Sequence, residues 1–207
     1  MTPRTADPQI RPALIDAAAR LVDEYGPDAL TTRRLAAEVG TSTMAVYTHF
    51  AGMDALRRAV AAEGFERLAG HLDALPPTDD PVAFVSCQGG AYFRNALANP
   101  HLYRFMFLER PSDDPEIGHE TFERLVDGVR AAIEGGRFVG DAEALAIQLW
   151  AMAHGIVTLH FSGLLELAEA LECFASMGEN LFTAFGDERE RARASIADAI
   201  NLFATLD

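Results

Sequence analysis

An all-α fold is predicted for this chain by three features. Apolar residues recur at three- and four-residue spacings in one segment after another, proline or a capping side chain opens most of those segments, and no stretch alternates apolar with polar residues over the length of a strand. With 207 residues, 49% of them hydrophobic and 23% charged, the chain can bury a small core and a larger one.

The first helix places Ile10, Leu14, Ala18, Leu21, Val22 and Tyr25 on one face and stops at Gly26-Pro27. A short second helix, capped by Thr31 or Thr32, buries Leu35, Ala36 and Val39 and ends where Gly40 takes a left-handed turn. Ser42 caps a third helix through His49. The fourth runs from about Met53 to Gly70 with Leu56, Val60, Phe65 and Leu68 as its apolar members, and leads into the linker Pro76-Pro77-Thr78-Asp79-Asp80-Pro81. Asp80-Pro81, Asn99-Pro100 and Asp114-Pro115 open the next three helices, each with proline at the first helical position, the seventh ending near Gly135. An eighth helix follows Gly140-Asp141 and ends near Gly163, and a ninth covers about Leu165 to Phe185. The last starts at Asp187, where Asp187 and Glu190 have capping-box spacing, and lines up Ile196, Ala199, Ile200 and Phe203. There is no internal repeat and no low-complexity tract.

The net charge of −14 is unfavourable for binding an anionic polymer, but it is unevenly spread. Residues 1–70 carry eight arginines against nine acidic residues, and residues 71–207 carry nine against twenty-two. Cys87 and Cys173 lack metal or disulfide spacing and read as small core residues. No window approaches the length of uncharged apolar sequence that a membrane span needs, and the N-terminus has no signal-peptide layout, so a cytoplasmic protein without membrane contact is expected. Neither paired carboxylates, a nucleophile with a base, a phosphate loop nor a metal spacing stands out, so no catalytic residue, metal site or cofactor is expected.

Two short helices joined by the turn Val39-Gly40-Thr41-Ser42 form a helix-turn-helix, whose second helix can enter a major groove. Thr43, Tyr47, Thr48 and His49 supply donors and acceptors there, while Ala36, Val39 and Val46 hold the element against the first helix. An ordinary helical hairpin has the same pattern. Tyr47 read that way is only a packing residue, and His49 lacks the neighbours of a metal ligand or general base.

The run Leu30-Thr31-Thr32-Arg33-Arg34-Leu35-Ala36-Ala37-Glu38-Val39-Gly40-Thr41-Ser42-Thr43-Met44-Ala45-Val46-Tyr47-Thr48-His49-Phe50, followed by Asp54-Ala55-Leu56, resembles the DNA-binding domain of TetR-family regulators across about residues 10–60. The resemblance implies that Thr32 and Arg33 contact the DNA backbone or a base edge and that Ser42, Thr43, Met44, Tyr47, Thr48 and His49 line the groove, Tyr47 and His49 mainly on phosphates. One departure stands out. The family often has lysine where this chain has Met53, and Arg57 or Arg58 is the expected substitute.

The domain division expected is 1–60 for DNA binding, with the fourth helix continuing to about 75, and 76–207 for ligand binding and dimerisation. Trp150-Ala151-Met152-Ala153-His154-Gly155 is similar to the Trp-His-Gly signature of one TetR C-terminal subfamily. Trp150 and His154 share a helical face and read either as a ligand wall with one polar group or as a core pair. With Phe93, Leu97, Tyr103 and Phe122 they form the expected effector site, although aromatic sets are often plain core. Leu149, Met152, Ile156 and Leu159 of the eighth helix and Ile196, Ile200 and Phe203 of the last are expected to form a dimer seam, the alternative being an intramolecular core. The partners implied are double-stranded operator DNA of roughly palindromic sequence, a small and mostly apolar effector, and a second copy of the chain. The competing reading is a helical interaction module without specific DNA binding.

Overall fold

The computed structural model describes residues 9–109 and 117–203, the side chain of Phe203 excepted. Among these residues there are ten α-helices and no strand: α1 Ile10–Tyr25, α2 Thr32–Val39, α3 Thr43–His49, α4 Met53–Asp73, α5 Pro81–Ala98, α6 Pro100–Phe107, α7 His119–Glu134, α8 Ala142–Phe161, α9 Leu167–Ala184 and α10 Arg189–Phe203. Asp114-Pro115, the expected start of the seventh helix, lies outside the described residues; α7 begins at His119, directly after Gly118 at φ 88°.

The chain forms two compact units, residues 1–67 with 99–118 and residues 68–98 with 119–207. The first differs from a linear cut at the Pro76-Pro77 linker because the chain returns. Leu102, Phe105 and Met106 of α6 are buried in one core with Leu14, Val22, Leu35, Val46, Phe50, Leu56 and Val60. Full burial of each such side chain is worth about 1.5–3 kcal/mol, so α6 is held to this unit by packing. Gly64 makes room for it, since a Cβ there would lie 2.4 Å from the Met106 sulfur. Asp23 adds polar contacts, its carbonyl to His101 Nδ1 and its carboxylate accepting from the Leu102 N–H at 3.4 Å.

In the second unit α5 packs against α7, α8 and α10, and α9 against α8 and α10. Val82, Val85, Val126, Val129, Phe138, Leu149, Phe182 and Phe185 fill its main core. Buried beside it, Arg137 donates to both carboxylate oxygens of Asp187 (2.7 and 2.6 Å), to Asp80 at 2.9 Å and to Ser195 at 3.0 Å. Asp187 therefore does not cap the last helix as its spacing suggested; its carboxylate serves Arg137, and α10 starts at Arg189. The capping box belongs instead to α9, between Glu166 and Glu169. Contrary to the sequence reading, α8 is long and apolar enough to cross a membrane. Its Leu145, Ala146, Leu149, Ala153, Ile156 and Val157 are buried inside the chain, as expected of a core helix.

Candidate functional site

The first site is built on α2 and α3. The Thr31 hydroxyl accepts the Arg34 N–H at 3.2 Å and starts α2, Gly40 at φ 70° ends it, and the Ser42 hydroxyl accepts the Ala45 N–H at 3.1 Å and starts α3. Val46 and Phe50 turn inward to the core, which fixes the opposite face of α3 outward. That face carries Thr43, Met44, Tyr47 and Thr48, with Met44 70% and Tyr47 54% exposed. Both large side chains are therefore outside the core and accessible from solvent. Not all the expected groups are equally available. Ser42 is occupied as a cap, the Thr48 hydroxyl donates to the Met44 carbonyl at 2.8 Å, and Thr32 and His49 are half-buried.

Cations of the first unit are sorted by their partners. Arg20 pairs with Asp16, and Arg67 with Asp16 and Glu63. Arg33 is exposed and makes no ion pair among the described residues. Met53 packs against the first core, and Arg57, one expected substitute for a family lysine, lies 5.7 Å from the Phe105 ring centroid. Arg58 is exposed.

The second candidate site lies in the second unit, where α5, α7 and α8 bring Tyr92, Phe122, Trp150 and His154 together. The Tyr92 hydroxyl is 3.1 Å from His154 Nδ1, and ring centroids are 5.8 Å apart for Phe122 and Trp150 and 6.2 Å for Trp150 and His154. Burial pushes the His154 pKa down, favouring the neutral ring. One turn beyond His154, the Thr158 hydroxyl oxygen is buried without a partner among the described residues. Phe93 is buried and packs on Phe174 at 5.6 Å, with Leu97 half-buried one turn on. Tyr103 does not belong with this set: it is in the first unit, 4.9 Å from the Phe107 ring, because α6 returned there. Tyr92 as the partner of His154 was missed by sequence reasoning, since a contact across 62 positions leaves no periodic trace.

Because Trp150 is the chain's one tryptophan, its fluorescence reports His154 directly. Emission is expected to fall as pH drops through a midpoint below the ordinary histidine value, since protonated imidazole quenches indole and burial delays that protonation. A His154→Gln variant should lose the transition. A midpoint at or above the ordinary value would contradict the buried, neutral assignment.

Part of the expected dimer seam needs correction. Leu149 and Ile156 are 6% and 3% exposed and belong to the chain's own interior, and Ile196 packs against the same core. The face of α8 that points outward runs along Ile147, Ala151, Gly155 and Leu159, the last a member of the expected seam, and a Cβ on Gly155 would meet nothing within 4 Å. Leu164, Leu167 and Leu171, before and in the first turns of α9, are also exposed. Met152 is half-buried, Ile200 is exposed on α10, and the Phe203 side chain lies outside the described residues.

Comparison with known proteins gives a consistent picture. The family profile "Bacterial regulatory proteins, tetR family" matches residues 14–60, and "Tetracyclin repressor-like, C-terminal domain" matches residues 86–181. A helix-turn-helix type transcriptional regulator of Mycobacterium tuberculosis is 27% identical over 191 residues, covering 90% of this chain and 85% of the relative. The class A tetracycline repressor from transposon 1721 of Escherichia coli is 38% identical over 88 residues, 41% of this chain and 38% of that repressor. A solved structure from Rhodococcus sp. RHA1 matches with a TM-score of 0.75 at 28% identity, covering 90% of this chain and 100% of that one.

Proposed function

This chain belongs to the TetR family of bacterial regulatory proteins and is a DNA-binding transcriptional regulator, and we propose that it is a cytoplasmic homodimeric repressor that leaves a palindromic operator when a small, mostly apolar effector binds its second unit. It acts by binding rather than by catalysis. The observation that carries the DNA half of this reading is the outward face of α3, where Met44 and Tyr47 stand exposed beside Thr43 and the unpaired Arg33 of α2. Arg33 suits a guanine edge, and Tyr47 a phosphate.

The effector half rests on Phe122, Trp150, His154 and Tyr92, which join two aromatic faces to one neutral hydrogen-bonding pair. The carboxylate of Asp73, in the last turn of α4, is held by both Nε and a terminal nitrogen of Arg124 at 2.9 and 3.0 Å, a pairing that keeps its pKa below the usual carboxylate range. Arg124 is two residues from Phe122 on α7, and α4 places Leu56, Val60 and Ala61 in the core of the first unit. In this reading an effector that prefers one placement of α7 acts on α4 through the Arg124–Asp73 pair and so changes the separation of the two reading heads.

Footprinting of DNA upstream of the chain's own gene and its neighbours, at several salt concentrations, tests this. A two-fold symmetric, salt-sensitive footprint is expected. No specific protection on any genomic fragment would favour a helical interaction module instead.

A further inference from the structure

We propose that Tyr25 and Arg34 form a further contact with the DNA backbone, the exposed tyrosine ring holding the Arg34 guanidinium ready for a phosphate beside the bases that α3 reads. The proposal rests on the DNA-binding reading above and adds a residue pair to it. Arg34 sits in the first turn of α2, next to Arg33, and its Cζ is 4.1 Å from the centroid of Tyr25, the last residue of α1. Helical side chains lean toward the N-terminus of their own helix, so an arginine at this position reaches back to the end of the preceding helix. Tyr25 is 58% exposed and is absent from the buried core, so its ring is not placed there by burial.

Arg11 over Phe50 and Arg57 over Phe105 also face aromatic rings, at 5.3 and 5.7 Å, but the Arg34 contact is shorter and its ring is exposed rather than part of the core. Arg20 and Arg67 are neutralised by Asp16 and Glu63. The Arg34 guanidinium has no carboxylate partner among the described residues. A ring stacked on the flat face of a guanidinium leaves its charge intact and its N–H edge open, and that edge is the part that grips a phosphate. The same stack limits the rotamers of a long side chain before DNA arrives, so less freedom is lost on binding. A protein of net charge −14 that also has methionine at position 53 needs such uncommitted cations near its reading helices.

The test measures binding of the full-length protein, by fluorescence anisotropy across a salt series, to the footprinted operator and to a mixed-sequence duplex. Arg34→Ala is expected to weaken both complexes about tenfold and to reduce the slope of log affinity against log salt by about two, one phosphate per protomer. Tyr25→Phe should behave as wild type. Tyr25→Ala should lose part of the same affinity, and should lose nothing further in an Arg34→Ala background because the ring acts through the guanidinium. Thermal melts followed by circular dichroism establish that each variant is folded, and Tyr25→Phe guards against a packing effect. An unchanged salt slope in Arg34→Ala, or equal losses from Tyr25→Ala in both backgrounds, would overturn the proposal and leave the pair as a brace between α1 and α2. If wild type binds and Arg33→Ala/Tyr47→Ala does not, while Arg34→Ala is unaffected, this proposal fails alone. If wild type binds neither duplex, the DNA-binding reading fails with it.

Discussion

Arg137→Ala is expected to lower the unfolding free energy by about 3–5 kcal/mol, because it leaves two buried or half-buried carboxylates without their cation. The Arg137 and Asp187 side chains are 5% and 1% exposed and share two hydrogen bonds, and Asp80 is joined to both Arg137 and the Ser195 hydroxyl, the latter at 2.7 Å. The arrangement ties the start of α5, the turn before α8 and the start of α10 together. Arg137→Lys keeps the charge without the two-pronged geometry and should recover only part of the loss. The network also sets an acid limit. Partial burial pushes the Asp80 carboxyl up, but hydrogen bonds from Ser195, Ala83 and Val82 and the Arg137 charge outweigh it and hold the pKa below the ordinary aspartate value. A carboxyl depressed on folding contributes stability that is fully present above its unfolded value and is lost as pH falls through the folded one. Asp80→Asn should therefore cost stability at neutral pH and progressively less in acid, as read from urea midpoints at constant slope. A loss below about 1 kcal/mol for Arg137→Ala would mean that the network is structurally idle.

With the outward faces of α8 and α9 as the interface of the proposed dimer, Leu159→Arg/Leu171→Arg is expected to give monomers and to weaken operator binding by roughly 10²–10⁴-fold, the gain that linking two half-site contacts provides. Both positions are already exposed within one chain, at 42% and 49%, so the added charge disturbs no core and the melting temperature at high dilution should hardly change. Sedimentation velocity gives the oligomeric state and anisotropy the affinity. The control is Ile200→Arg, an exposed α10 position of the seam expected from sequence, which should leave the dimer intact. A dimer that survives the double substitution and dissolves with Ile200→Arg would restore the seam expected from sequence.

Local features were the legible part of this fold. Thr31, Gly40 and Ser42 announce α2 and α3 because their roles depend on neighbours three or four residues away, and the structure uses them as caps and a left-handed turn. The outward face of α3 followed from the same arithmetic once Val46 was assigned to the core. Illegible features were those made by distant pairs. Leu149 and Ile156 repeat on α8 with the spacing of a seam, but periodicity cannot say whether the partner is α7 of the same chain or a second copy. Asp187 had the spacing of a cap and was taken by Arg137, fifty positions away. Tyr103 looked like part of a sensor site until the return of α6 placed it in the first unit.

The most direct test of the central claim is operator affinity of the Arg33→Ala/Tyr47→Ala variant against wild type, at matched salt and with folding verified. Both side chains are exposed and neither belongs to the core, so the protein should remain folded and dimeric while specific binding falls to the level of a mixed-sequence duplex. A variant that holds the operator as tightly as wild type would show that the outward face of α2 and α3 is not what reads DNA.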